Sequence, residues 1–249
     1  MKSDGSPEET SSTLSHLRAV DPGMVTGFAF FFGGQTRQRL EGVASLAARI
    51  REQLPKAILL GGFSESVSND YAQDLRCGAL PVVHHFNIDM LTSRHQKMKS
   101  YVWIDPAKPG FVEYYDCVGQ TYIDDGITAF LFEAPSPMIP ASNNPAAASR
   151  AFATVADHLR AYAAKKGQKV YFFGEAALTK FMHIDAVYLP ARYYHTTVDK
   201  KYQNKIARPG IGVGYSYALS PLGEGYIGKR AFGHQGDIRC NRSLGFEAG

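Results

Sequence analysis

Two stretches decide the fold: Ile127-Thr-Ala-Phe-Leu-Phe-Glu133 and, after a helical interval, Val170-Tyr-Phe-Phe-Gly-Glu175. Each is an unbroken apolar run ended by a carboxylate, the pattern of a strand buried on both faces. Between them, residues 149–166 place Phe152, Val155, Ala156, Leu159 and Ala163 at helical spacing, and Gly167 supplies the stop. A strand–helix–strand unit of this kind is parallel and right-handed, so both strand ends emerge on one rim. Glu133 and Glu175 are then expected about one strand spacing, roughly 5 Å, apart if their strands are neighbours.

The same alternation extends in both directions. Residues 24–32, 57–62, 81–87 and 101–105 read as strands upstream, and 185–190 and 211–219 downstream. Helices are predicted over 36–54, 69–77, 111–125 and 175–182, with Leu40, Val43, Leu46, Ala47 and Ile50 forming the apolar stripe of the first. Eight strands interleaved with helices and loops predict an α/β fold, a (β/α)8 TIM-like barrel. It occupies residues 21–249 as a single domain after a polar, Ser-rich leader over 1–20. Residues 220–249 are rich in Gly and Arg and offer no eighth helix, so the barrel is expected to be irregular, its last helix short or missing. A doubly wound open sheet is the competing arrangement.

Composition narrows the function. Hydrophobic residues make up 45% of the 249-residue chain, enough for a sizeable core, and the net charge of +4 comes without a long basic run. Neither nucleic acid nor an anionic membrane is an expected partner, and no stretch of 18 or more apolar residues suits a spanning helix. Residues 1–15 lack the apolar core of a signal peptide, which leaves localisation open. The three cysteines, Cys77, Cys117 and Cys240, are widely spaced and odd in number, so buried or free thiols are expected rather than a disulfide framework.

In a parallel barrel the site lies at the carboxyl ends of the strands. Those ends carry Gln35, Glu65, Asp89, Asp105, Glu133, Glu175, Arg192 with Tyr194, and Tyr215 or Tyr217. Such a ring of acids suits glycosidic cleavage, divalent-metal binding or proton transfer beside a carbonyl. Cleavage of a glycosidic bond needs one protonated and one ionised carboxyl group, about 5 Å apart for retention and about 6.5–9.5 Å apart for inversion. Rim aromatics such as Trp103, Tyr194 and Tyr215 offer flat faces to sugar rings, although most rings within strands are expected to be core. A metal centre finds less support. His84 and His85 point to opposite faces of a strand, no HxH or HExxH is present, and the histidines are better read as buried, hydrogen-bonded side chains. The string Pro209-Gly-Ile-Gly-Val-Gly214, with Arg192 or Arg208, could cradle a phosphate, but a tight turn or a close-packed barrel strand explains it better.

Three short strings, Trp103-Ile-Asp105, Phe130-Leu-Phe-Glu133 and Phe172-Phe-Gly-Glu175, give the chain a generic likeness. It resembles the TIM-barrel glycoside hydrolases, whose acid/base and nucleophile commonly sit at the ends of such strands. The resemblance implies Glu133 as general acid and Glu175 or Asp105 as its partner. In the largest clan of those enzymes the acid is preceded by Asn, where this chain has Phe132. The expected protein is a glycosidase using Glu133, Glu175 and Asp105, with His85, Asp89, Trp103, Arg192, Tyr194 and Tyr215 contacting a carbohydrate, and no cofactor or metal. A non-catalytic sugar- or protein-binding barrel, or a lyase or isomerase of a phosphorylated small molecule, is the alternative.

Overall fold

The computed structural model describes residues 14–15, 17–18, 23–25, 29, 33–78, 82–93, 100–132, 135–174, 178 and 182–190, with 215–219. Its centre is a six-stranded sheet in the order β1-β2-β7-β8-β9-β10. These strands are β1 (Met24–Val25), β2 (Ile58–Phe63), β7 (Ala129–Phe132), β8 (Tyr171–Gly174), β9 (Ala186–Pro190) and β10 (Tyr215–Leu219). The first five run parallel, in the register Leu60↔Ala129, Ala129↔Tyr171 and Phe173↔Ala186. β10 is antiparallel to β9, with Tyr215 opposite Pro190.

The helices form where the apolar stripes lie. Helix α1 (Arg37–Gln53) begins at Thr36, whose side chain accepts from the Arg39 amide, and buries Leu40, Val43, Leu46, Ala47 and Ile50. Helix α3 (Pro109–Asp124) starts on a proline whose fixed φ suits a first turn. After the short helix α4 (Pro135–Ala141), α5 (Pro145–Lys165) is capped by Asn144 accepting from Ala147 N at 3.1 Å. Gly126 (φ +80°) and Gly167 (φ +67°) close α3 and α5 in the left-handed region that glycine enters at little cost. Gly119 lets α3 approach α5 closely, because a Cβ there would stand 2.4 Å from Leu159 Cδ1.

The sheet sorts its side chains by parity. Leu59, Phe63, Phe130, Phe132 and Phe172 join the main core, together with the buried residues of α1, α3 and α5. Phe63 stacks on Tyr115 at 4.6 Å and on Phe132 at 5.3 Å, and Phe132 meets Phe152 edge-on at 5.2 Å. The opposite parity, Met24, Leu60, Ala129, Leu131 and Phe173, forms a separate apolar cluster with no helical member. All the described helices that contribute to a core therefore lie on one face. Strand order along β1, β2, β7, β8 and β9 follows chain order without reversal, so these strands hold no topological switch point of a doubly wound sheet.

Several sequence expectations are corrected here. Residues 69–77, predicted as a helix, contain β4 (Ala72–Arg76), which pairs antiparallel with β5 (Val83–Asn87) in a separate two-stranded ladder. The polar alternation Ala72-Gln-Asp-Leu-Arg76, with only Leu75 buried, is that of a half-solvated strand. The expected parallel strand at 101–105 is instead β6 (Tyr101–Trp103), antiparallel to β3 (Ser66–Ser68). Strands β5 and β6 thus lie outside the central sheet, and the predicted eighth strand enters it antiparallel. What is observed is a mixed α/β fold with a mainly parallel sheet. The thiols also differ from expectation: Cys77 and Cys117 form a disulfide, clamping the end of β4 to the middle of α3.

Candidate functional site

Parallel direction brings the C-terminal ends of β2, β7 and β8 to one edge of the sheet. Phe132 and Gly174 end neighbouring strands there and immediately precede Glu133 and Glu175. Glu133, Glu175, Arg192 and Tyr194, with the glycine-rich string at 209–214, lie outside the described residues. Tyr215 reaches the same edge by a route the sequence did not suggest. Because β10 runs antiparallel, its first residue, not its last, sits opposite Pro190 at the end of β9.

Asp105 is buried and close to this edge, since Ile104 N donates to Glu65 O at 2.9 Å. Each of its carboxylate oxygens accepts a hydrogen bond: Ser93 Oγ donates to Oδ2, and Ala107 N donates to Oδ1 at 2.9 Å. This is an Asx-type turn leading from β6 into α3, a task that draws on both oxygens. Trp103, on the same strand, is half-buried against the main core opposite Ser66.

His85 and Asp89 are placed differently from the expectation. β5 belongs to the outlying ladder, and both of its histidines are paired with carboxylates there. His85 Nδ1 pairs with Asp74 at 2.7 Å with both side chains largely exposed, while His84 Nδ1 pairs with Glu113 at 2.7 Å. Both histidines are hydrogen-bonded, as anticipated, but at the surface rather than in the core. Asp89 is exposed in the first turn of α2 (Ile88–Leu91), where a carboxylate favours the helix dipole. His183 and Asp185 lie 3.3 Å apart, and Asp185 is held by Phe172 N at 2.7 Å and by Arg160. Among the described residues no group of three or more His, Cys, Asp or Glu side chains is arranged to hold a metal ion.

Beneath the edge lies a buried polar network centred on Gln35. Its backbone N–H donates to Tyr114 Oη at 2.7 Å, its Nε2 donates to Tyr122 Oη at 2.8 Å, and its carbonyl accepts from Tyr71 Oη. Burial pushes the Tyr114 hydroxyl up to about 12, and raises those of Tyr71 and Tyr122 as well. These phenols are neutral hydrogen-bonding struts that fix the loop after β1. Ser64 extends the network, its Oγ accepting from Gly34 N at 3.3 Å and donating to Ser66 O at 2.7 Å. Glu65 follows it, buried at the exit of β2. The sequence placed Glu65 on the rim without assigning it a role, and its only written signal is its position just after an apolar strand.

Among the described residues no helix is long and apolar enough to cross a membrane. No family model matches the chain, and no curated protein matches it. Two solved structures are similar at a low level. An isomaltulose synthase variant from Erwinia rhapontici NX5, in complex with its natural substrate sucrose, shares 11% identity at a TM-score of 0.36 over 66% of this chain and 39% of its own. A variant of MutB in complex with glucose shares 11% identity at a TM-score of 0.34, over 66% of this chain and 40% of its own. The chain thus spans about two fifths of the length of either structure, and a likeness of this degree carries no inference about activity.

Proposed function

We propose that the chain is a carbohydrate-active enzyme, a glycoside hydrolase working through Glu133 and Glu175 at the C-terminal edge of an α/β barrel that spans residues 21–249. One observation carries the reading. Ala129 and Leu131 on β7, and Phe173 on β8 with Tyr171 packed beside it, belong to a single apolar cluster on the helix-free face of two adjacent parallel strands. Side chains alternate along a strand with period two. One further step from Ala129 and Leu131 reaches Glu133, and one further step from Tyr171 and Phe173 reaches Glu175. In this proposal both acids continue that alternation onto the face that a barrel would enclose. At one strand spacing, roughly 5 Å, they would have the separation of a retaining pair, one group donating a proton to the leaving oxygen and the other attacking the anomeric carbon.

Asp105 enters this reading as a support of the edge rather than a reacting group, since both its oxygens already accept hydrogen bonds. Trp103, with Arg192, Tyr194 and Tyr215, remains a proposed contact for the sugar, whereas the surface positions of His85 and Asp89 favour no such role. The test is a glycan panel assayed with the wild-type chain and with Glu133→Gln and Glu175→Gln. Each variant should lose at least about 100-fold in kcat, the low end of what a positioned acid or base supplies, with sugar binding retained. Full activity in both variants refutes the assignment. Binding of a glycan by the wild type without any turnover would instead favour a non-catalytic sugar-binding protein.

A further inference from the structure

Three carboxylates are buried among the described residues, and their surroundings differ in kind. Asp105, 7% exposed, accepts from Ser93 and Ala107; Asp185, also 7% exposed, accepts from Phe172 N and pairs with Arg160 and His183. Glu65 is 6% exposed, yet its Oε2 is buried with no hydrogen-bond partner. Burying one carboxylate oxygen without a partner costs more than burying it hydrogen-bonded, so a fold that keeps it needs a reason. Its neighbourhood repeats the pattern. Ser66 Oγ is fully buried without a partner, and so is Gln35 Oε1. The segments holding these groups are tied together by Gly34 N donating to Ser64 Oγ, Ser64 Oγ donating to Ser66 O, and Ile104 N donating to Glu65 O.

We infer that the exit of β2 is a binding subsite for a polyhydroxylated ligand, whose O–H groups donate to Glu65 Oε2 and its neighbouring acceptors. The chemistry favours hydroxyl donors over a metal ion. Two of the three open acceptors, an amide oxygen and a hydroxyl, are neutral, and Trp103, only partly buried against the main core, is the residue paired with Ser66 across the ladder. A sugar presents an array of O–H groups beside an apolar ring face, and both needs are met there. The inference deepens the proposed function, since it rests on the C-terminal edge being the site, but it assigns ligand contact to a residue outside the reacting pair.

The test uses the full-length chain and Glu65→Gln, which keeps the shape and removes the charge. Thermal unfolding is followed at neutral pH alone and with glucose, maltose or xylitol, at concentrations too low for general osmolyte stabilisation. Glu65→Gln should melt higher than the wild type by roughly 2–4 °C, because the buried carboxylate oxygen left without a donor is replaced by an amide. The polyol-dependent rise shown by the wild type should vanish in the variant. A lower melting point for Glu65→Gln overturns the inference, as does an equal polyol response in both proteins or none in the wild type. Ser66→Ala provides an independent arm: it should fold as the wild type does and weaken the polyol response several-fold, and an unchanged response counts against the subsite. Loss of hydrolysis in Glu133→Gln with the polyol response intact separates the two readings.

Discussion

Removing the Cys77–Cys117 bridge gives the sharpest test of how the outlying ladder is held. The two cysteines are 40 residues apart in sequence, and the bridge ties the end of β4 to α3. A chain-entropy treatment of a loop of that length gives about 13 cal/mol/K of lost freedom in the unfolded state, or about 4 kcal/mol at 25 °C. For a domain of this size that corresponds to a fall in Tm of about 8–16 °C. The native contacts around the bridge should survive its loss. Leu75 and Phe86 remain buried, and Phe86 meets Tyr114 edge-on at 5.2 Å, so the reduced protein is expected to fold and to unfold more easily. Scanning calorimetry of the oxidised chain, the dithiothreitol-reduced chain and the Cys77→Ser/Cys117→Ser double variant measures this directly. Thiol titration in denaturant supplies the control: of three cysteines, two are bridged, so one thiol should react before reduction and three after it. Three reactive thiols in the untreated protein, or superimposable melting curves for all three samples, would refute the reasoning.

Other perturbations probe the core and its charges. Phe132→Ala removes the ring that contacts Phe63, Phe152 and Phe172 at 5.2–5.5 Å, and should cost about 3–5 kcal/mol in denaturant unfolding. Gly119→Ala drives a methyl into buried Leu159; overpacking outweighs the gain in helix propensity, and a net loss of about 1–2 kcal/mol is expected by chemical denaturation. Burial first, and the neighbouring Asp124 charge second, push the Asp125 carboxyl up to about 6 from an ordinary value of 3.8. The raised value means that the fold prefers the protonated form, so its contribution is fully favourable below about pH 4 and is lost as pH rises through 6. Asp125→Asn should therefore raise stability at pH 7 by about 1 kcal/mol, discounted for partial exposure, and change little near pH 4. Equal effects at both pH values would argue against a charge-based cause.

Long periodic segments were legible in the sequence and short polar ones were not. The stripe Leu40–Ile50 and the unit from Ile127 to Gly174 carry their own signals, and α1, α3, α5, β7 and β8 lie where those signals put them. Residues 72–76 are misread as helix because a strand exposed to water on one face keeps only one buried residue, Leu75, too few to display a period, whereas Val83–Asn87 is a strand as read but pairs outside the central sheet. Strand 101–103 was recognised but given the wrong partner, since nothing local states whether a strand pairs with a distant parallel neighbour or with the nearby Ser66–Ser68. The bridge was missed because cysteine spacing records neither the Cα separation nor the turn that creates it. At the site, Asp105 looked like a free acid on the page. Only coordinates reveal that Ser93 and Ala107 each donate to one of its oxygens, and that Oε2 of Glu65, with a plainer sequence context, is buried without a hydrogen-bond partner.

The one-sided helical layer divides the sheet into a conservative surface and an adjustable one. Replacing Phe63 or Phe132 disturbs the seating of α3 and α5, because their rings set the distance between layers. Met24, Leu60, Ala129, Leu131 and Phe173 are themselves almost wholly buried and share their cluster with no residue of the described helices, so trimming one and enlarging its neighbour on the next strand, at nearly constant volume, should leave the seating of α3 and α5 undisturbed.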